Sequence, residues 1–417
     1  MSVPAKIQST ARAAAYEKRW LLVLGILFIG AVLRAPLTSV GALAGSIRDS
    51  LAISNTTAGV LTTLPLLAFA LLSPFAPTLS RRFGMEPVLF AALSLLTVGI
   101  GLRSLGGIGT LFLGTILLGL AIAVCNVLLP GLIKREFSQK IGIMTGVYSV
   151  SMNLCGAIAS GISIPLAFGL GLGWHGALGF WGILSIVSLL FWLPQMRSRR
   201  QPAAAADSTK GTETVNVWRS GLAWQVTFFM GLQSLLFYTV IAWLPEIMKQ
   251  QGLAADYSGW MLSLMQFSVL PFTFLVPILA GRLANQQLLA GITASLFFCG
   301  VLGVLYGSTA LIPLWVIMMG IGAGSAFSLS MMFFGLRTKT AQQSAELSGM
   351  AQSFGYLLAA VGPTLFGYLH DATQGWTVPL YMLGTVAILL FIFGLGAGRN
   401  RYVGERKIYI EGKRKDV

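Results

Sequence analysis

Arg34 is the only ionised side chain among the 28 residues from Trp20 to Ile47, and it stands within two positions of their middle. At ~1.5 Å per helical residue the run is about 40 Å long, enough to cross a bilayer with ~30 Å of hydrocarbon. A guanidinium at that depth costs at least ~2.5 to 3.5 kcal/mol, and intramembrane charges of this kind are functional by default. Of the 13 carboxylates, Asp49, Glu246, Asp256 and Asp371 fall at the ends of apolar runs and the others in polar segments, so none shares the depth of Arg34. A planar fork of donors suits a carboxylate or another small anion. Two readings stay open: an anion supplied by a substrate, or helix carbonyls and Asn, Gln or Tyr oxygens that make Arg34 a brace for the bundle.

A second set of residues is polar or aromatic but neutral. Asn126, Tyr148, Ser151 and Asn153 fall in the middle of apolar runs of the first half, and Gln233, Tyr238, Gln266, Gln352 and Tyr356 in the second. Left unbonded in lipid each would cost a few kcal/mol, roughly, so they are expected to face a bundle interior. Tyr148 shares a helix face with Met152 at i, i+4, as Gln352 does with Tyr356. The substrate-binding candidates are therefore Arg34, Asn126, Tyr148, Met152, Asn153, Gln233, Tyr238, Gln266, Gln352 and Tyr356. For any one of the neutral residues, interhelical hydrogen bonding is an equal alternative. Glu246 and His370, near the ends of their runs, are the candidate proton-coupling groups. Arg103, at the end of its run, is expected to snorkel to the interface.

The elements that must position these groups are long apolar helices. The 417 residues are 55% hydrophobic and only 10% charged, against about 25% charged in soluble domains. Twelve candidate spans lie near 20–47, 57–79, 87–105, 110–133, 141–168, 174–195, 222–248, 257–280, 287–307, 311–335, 347–369 and 376–398. An even number puts both termini on one side. If that side is cytoplasmic, every one of the 28 Lys and Arg falls in the termini or cytoplasmic loops except Arg34, Arg48, Arg103 and Lys249, which fixes the orientation. The net charge of +15 thus sorts by topology, and nucleic acid is not an expected partner.

Residues 197–219 read as a flexible cytoplasmic linker between a first six-helix half, 1–196, and a second, 220–417, that ends in a basic tail. The halves look alike: Gly59 and Pro77 are spaced as Gly259 and Pro277 are, and GLIKREFSQKIGIMTG matches GLRTKTAQQSAELSG in layout. Gly142 with Gly146, and Gly320 with Gly324, read as sites of close helix packing. A parallel repeat of this kind places a substrate site near the midplane between halves. The fold class expected is an all-α membrane protein of twelve transmembrane helices in two six-helix pseudo-repeats, with both termini cytoplasmic.

Several stretches resemble the cyanate and 2-nitroimidazole transporter family of the major facilitator superfamily. They are LRAPLTSVG around Arg34, the segment from Gly59 to Glu86, NVLLPGLIKREF from Asn126, TGVYS from Thr145 and LSGMAQSFGYLLAAVGP from Leu347. The resemblance implies a secondary transporter of the inner membrane that carries a small anion or nitrogenous heterocycle. The superfamily loop G-x-L-A-D-R-x-G is kept only as PTLSRRFG: Arg82 and Gly84 fit, whereas Arg81 stands where the acidic residue of the conformational loop belongs. Broad-specificity drug or metabolite efflux is the alternative within transport, and a non-transporting receptor or scaffold the alternative outside it.

Enzymatic activity is not expected. His175 and His370 are the only histidines and build no catalytic constellation. GLGWHG at 171–176 lacks the strand that a dinucleotide motif requires. No metal site is expected from Cys125, Cys155 and Cys299, whose spacing suits none and which read as packing residues, and no cofactor is expected. The expected partners are the lipid bilayer, a small-molecule substrate and protons as the candidate coupling ion, with the chain a monomer.

Overall fold

The apolar runs fold as helices wherever they are described in the structure, a computed structural model that describes residues 5–53, 55–196, 216–405, 409–410 and 413–414. The expected linker lies outside the described residues over 197–215. In chain order the helices are α1 (Ala5–Leu51), α2 (Asn55–Leu72), α3 (Ala76–Phe83), α4 (Met85–Arg103), α5 (Ile108–Glu136), α6 (Ile141–Ile164), α7 (Gly173–Gly179), α8 (Trp181–Met196), α9 (Gly221–Gln250), α10 (Ala255–Arg282), α11 (Gln287–Tyr306), α12 (Ile312–Leu336), α13 (Ala341–Thr373) and α14 (Thr377–Ala397). A two-residue antiparallel pair joins Tyr409–Ile410 to Lys413–Arg414.

Ten of the described helical segments are long and apolar enough to cross a membrane, and eleven if the bent pair 63–72 and 76–83 is one span. That pair bends by 53° because Pro74 has no N–H to continue α2, while Pro77 is tolerated in the first turn of α3. The remaining expected span is α13, whose 33 residues suffice in length but include a polar first third. Its start is fixed by a capping box, Thr340 accepting from the Gln343 N–H. At the start of α4, Gly84 sits at φ 90°, a conformation that strains any residue with a Cβ.

The chain packs as two units. Unit 1 comprises residues 1–65, 79–126 and 147–206; unit 2 comprises 66–78, 127–146 and 207–417. In unit 1, α8 packs on α1 and α4, with Phe28 stacked on Phe191 at 4.7 Å and the Trp192 indole donating to the Glu86 carbonyl at 3.1 Å. In unit 2, α9 packs on α13, α12 on α10 and α11, and α14 on α11 and α9. The segments 66–78 and 127–146 join unit 2 through glycines that let backbones touch. Gly142 lies against the Pro277 carbonyl, and a Cβ on Gly349 would stand 2.6 Å from the Ser73 oxygen. Arg337, 2% exposed, ties the ends of α12 and α14 together by donating to the Ala397 carbonyl at 2.7 Å and the Gly398 carbonyl at 3.0 Å, and also to Gln286. Burial pushes its pKa down to about 10, partly offset by Tyr402, so it stays charged at neutral pH.

Lys134, in the last turn of α5, donates from Nζ to the Gly335 carbonyl at 2.5 Å and to the Thr338 carbonyl. Gly335 lies in the last turn of α12 and Thr338 just beyond it, where terminal carbonyls lack intrahelical donors and favour a cation. Lys134→Met keeps the length of the side chain and removes both bonds, each worth about 1.5 to 3 kcal/mol for a charged donor. The expected result is a fall of a few degrees in the melting temperature of the purified protein. Arg135→Met is the control, since Arg135 pairs with the neighbouring Glu136 at 2.8 Å near the surface, where such pairs contribute little. Equal melting temperatures for Lys134→Met and wild type would refute the role given to Lys134.

Candidate functional site

Two helix faces in unit 1 carry most of the first-half candidates. Along α6, Tyr148, Met152 and Gly156 recur every four residues, and along α1, Gly30, Arg34 and Thr38 do the same, so each set forms one stripe. The stripes face each other. A Cβ on Gly30 would meet the Tyr148 carbonyl at 3.0 Å and its ring at 3.1 Å, and one on Gly156 would meet Arg34 Cγ at 2.5 Å. Thr38 Oγ1 donates to the Gly156 carbonyl at 2.8 Å, and Ser151 Oγ donates to the Leu27 carbonyl at 2.7 Å. Glycine on each stripe thus brings the helices close enough for the Arg34 stem to cross α6 directly.

Beside the stripe, the Tyr148 hydroxyl donates to Asn126 Oδ1 at 2.7 Å. Tyr148 and Met152 are buried, at 1% and 3% exposure, Asn126 is buried, and Arg34 is half-buried. Asn153, also half-buried, donates to the Ser149 carbonyl of its own helix at 2.9 Å. The result in unit 1 is a cation whose stem lies at Gly156, with the Met152 thioether one turn and the Asn126-bonded Tyr148 ring two turns along the same stripe of α6. Such a stripe can hold a small planar group while the guanidinium takes its negative charge.

The second-half candidates lie in unit 2. Gln233 is buried and donates to Ser234 Oγ at 2.7 Å and Met230 Sδ at 3.3 Å. Gln352, also buried, donates to Ser348 Oγ at 2.8 Å, and Tyr356 tilts against Phe69 with ring centres 4.9 Å apart. Tyr238 is half-buried beside Phe237, and Gln266 is exposed on α10. Glu246 forms an exposed pair with Lys249 at 3.3 Å. His370 contacts Asp371 at 3.2 Å and lies against the Trp376 ring at 4.0 Å. In the last turn of α3, Arg81 and Arg82 are exposed, with Arg82 over the Phe83 ring at 5.2 Å.

Two expectations are corrected. Arg103 does not snorkel: it is 0% exposed, and its Nη1 donates to the Pro36 carbonyl at 2.8 Å. The cause is close helix packing, because Gly114 of α5 lies against the backbone of Arg103 and Gly99 of α4 against that of Leu118, which closes the route to the interface. Cys299 is exposed and not a packing residue, whereas Cys125 is buried; all three cysteines are free. Sequence reasoning missed Gly30, Thr38 and Gly156 as parts of the site. The signal was present only as single small residues spaced by multiples of four from Arg34 and Tyr148, and nothing in one sequence shows which stripes meet.

A cavity of about 670 Å³ lies elsewhere in unit 2, between α11, α12 and α14. Leu288, Ile292 and Phe391, which line it, are exposed. It is apolar and contains none of the candidate residues, which suits an acyl chain better than a polar solute.

The Major Facilitator Superfamily model matches residues 22–363. The chain is 49% identical over 385 residues to the uncharacterized transporter YycB of Bacillus subtilis, covering 92% of this chain and 94% of that one. It is 42% identical over 387 residues to the 2-nitroimidazole transporter of Escherichia coli, covering 93% and 98%. With the cyanate transport protein CynX of Escherichia coli it shares 28% identity over 85% of this chain and 91% of the other. Among solved structures the proton:xylose symporter XylE aligns with a TM-score of 0.74 at 12% identity, covering 92% of this chain and 97% of that one, which shows the fold. With its multi-pass helical architecture and these relatives, the chain belongs to the major facilitator superfamily of membrane transporters, in its cyanate and 2-nitroimidazole transporter family.

Proposed function

We propose that the protein moves a small anion or an acidic nitrogenous heterocycle by alternating access, with Arg34 as the group that takes the substrate's negative charge. The observation that carries this reading is the seat of Arg34. Its stem crosses α6 at Gly156, one turn from Met152 and two turns from the buried Tyr148 that donates to Asn126. A brace needs no such opening in the facing helix, whereas a guanidinium held by its stem keeps its fork in a fixed place for a planar partner. The relatives named for 2-nitroimidazole and cyanate support the substrate class. Both compounds are small, the first a flat ring and the second a linear anion, and the nitro group acidifies the ring N–H of the first so that it too becomes an anion.

In this reading the chain forms twelve spans, with α13 as one of them, in two six-helix halves, 1–196 and 220–417. It works as a monomer in the bacterial inner membrane with both termini cytoplasmic, in line with the sorting of Lys and Arg. It performs no catalysis. Protons are the proposed coupling ion, with Glu246 and His370 as the groups near the outer surface that could exchange them. The test is a thermal-shift screen of the purified protein against cyanate, benzoate and 2-nitroimidazole, followed by uptake into proteoliposomes with and without an imposed proton gradient. Saturable stabilisation by at least one anion is expected, together with uptake that rises with the gradient. Equal uptake in both conditions would remove the coupling claim, and no stabilisation by any probe would remove the substrate class.

A further inference from the structure

Arg103 is more deeply buried than Arg34, and the transport reading does not use it. Its Nη1 donates to the Pro36 carbonyl at 2.8 Å, but Nε and Nη2 are buried without a hydrogen-bond partner. It forms no ion pair among the described residues. A guanidinium in this state is costly, because a buried donor without a protein partner is poorly compensated for its lost hydration. If its task were only to hold one carbonyl, a neutral amide would do it with less desolvation. Retention of the charge therefore calls for a negative partner that the chain does not supply.

The location says where such a partner would be. Pro36 is inside α1, two residues beyond Arg34, and as a proline it breaks the hydrogen-bond ladder of the helix at that turn. Arg34 leaves α1 towards Gly156 of α6, while Arg103 reaches α1 from α4. Arg34 thus projects from this turn of α1 while Arg103 reaches it from α4, and residues two apart on a helix point to different sides of it. In packed, water-poor protein a charge acts across a helix, and one guanidinium lying behind the other raises the positive potential at the first.

We propose that Arg103 is a positioning residue for anion selectivity: it pins α1 at Pro36 and supplies a second positive charge behind Arg34, so that the site prefers a charged substrate to a neutral one of the same shape. This rests on the reading of Arg34 as the anion-binding group. It separates the jobs of the two arginines. Arg34 touches the substrate, and Arg103 acts through α1 without touching it.

The test compares 2-nitroimidazole, which ionises, with 1-methyl-2-nitroimidazole, which cannot, on the full-length purified protein at a pH where the first is an anion. Arg103→Gln removes the charge and leaves a neutral, shorter amide donor in its place. The expected result is a roughly tenfold loss of affinity for the anion with affinity for the methylated compound unchanged, whereas Arg103→Lys retains the preference for the anion. Wild-type affinity for the anion in folded Arg103→Gln would overturn the proposal, and so would an equal loss for both compounds, which marks a purely structural role. If Arg103→Gln does not fold, Arg103→Lys decides: retained anion preference supports the proposal and lost preference overturns it. Arg34→Ala in parallel separates the two readings. Undiminished anion binding in that variant removes the Arg34 reading and this one with it. Lost binding there combined with full binding in Arg103→Gln removes only the claim about Arg103. Absence of binding by either compound to the wild type removes both.

Discussion

Arg34→Ala is expected to weaken binding of a small planar anion by roughly 30-fold or more. That corresponds to the ~2 to 5 kcal/mol lost when one member of a buried, hydrogen-bonded charge pair is truncated. The protein should still fold, because the aliphatic stem of Arg34 lies over Gly156 and removal of a half-buried side chain leaves the α1 and α6 backbones in contact through Gly30 and Thr38. Arg34→Lys should be intermediate. It keeps the charge but loses the fork that engages two oxygens at once. Isothermal titration of each variant with 2-nitroimidazole reads the outcome, with the melting temperature as a control for folding. An Arg34→Ala protein that melts like the wild type and binds as tightly would show that the guanidinium is a brace.

Gly156→Val is the second large effect, and it works without touching the charge. A Cβ at position 156 would stand 2.5 Å from Arg34 Cγ and 3.3 Å from its Cβ, atoms near the root of the side chain that cannot swing aside as a guanidinium could. The extra branch must therefore push α6 away or drive Arg34 into another rotamer. Overpacking of this kind costs about 1 to 3 kcal/mol of stability, and either response moves the fork. A displacement of about an ångström can cost on the order of a hundredfold where geometry matters, so anion binding should fall nearly as far as in Arg34→Ala although Arg34 is still present. Gly161→Val, on the same helix where nothing lies within 4 Å of the added atom, should bind normally. Normal binding by a folded Gly156→Val would place the substrate away from this crossing.

Much of the architecture was legible because the bilayer imposes a single requirement: a long apolar stretch whose backbone groups are satisfied by helix formation. The run around Arg34 is accordingly helical from Trp20 to Leu51. The break at Ser73–Phe75 was also written in the chain, as Pro74 followed by Pro77, but a hydropathy window averages over it and shows one span. Length alone supports α13, since the polar residues that cap and begin it lower its mean apolarity. Arg34 stood out because its neighbours in sequence are apolar. Arg103 was misread for a related reason. Position at the end of a run suggests an exit to water, but whether the exit is open depends on Gly99 and Gly114, which belong to two helices whose contact is tertiary. The Lys134 bonds were equally hidden, since their acceptors are backbone carbonyls about two hundred residues away, and carbonyls leave no mark on sequence.

The central claim is that the substrate's charge is taken by Arg34 during transport. The most direct measurement is uptake of 2-nitroimidazole into proteoliposomes reconstituted with equal amounts of wild-type and Arg34→Ala protein, over a concentration series. The expected result is saturable uptake by the wild type and uptake at the level of protein-free liposomes by the variant. Saturable uptake of the same rate and half-saturation in both would contradict the account.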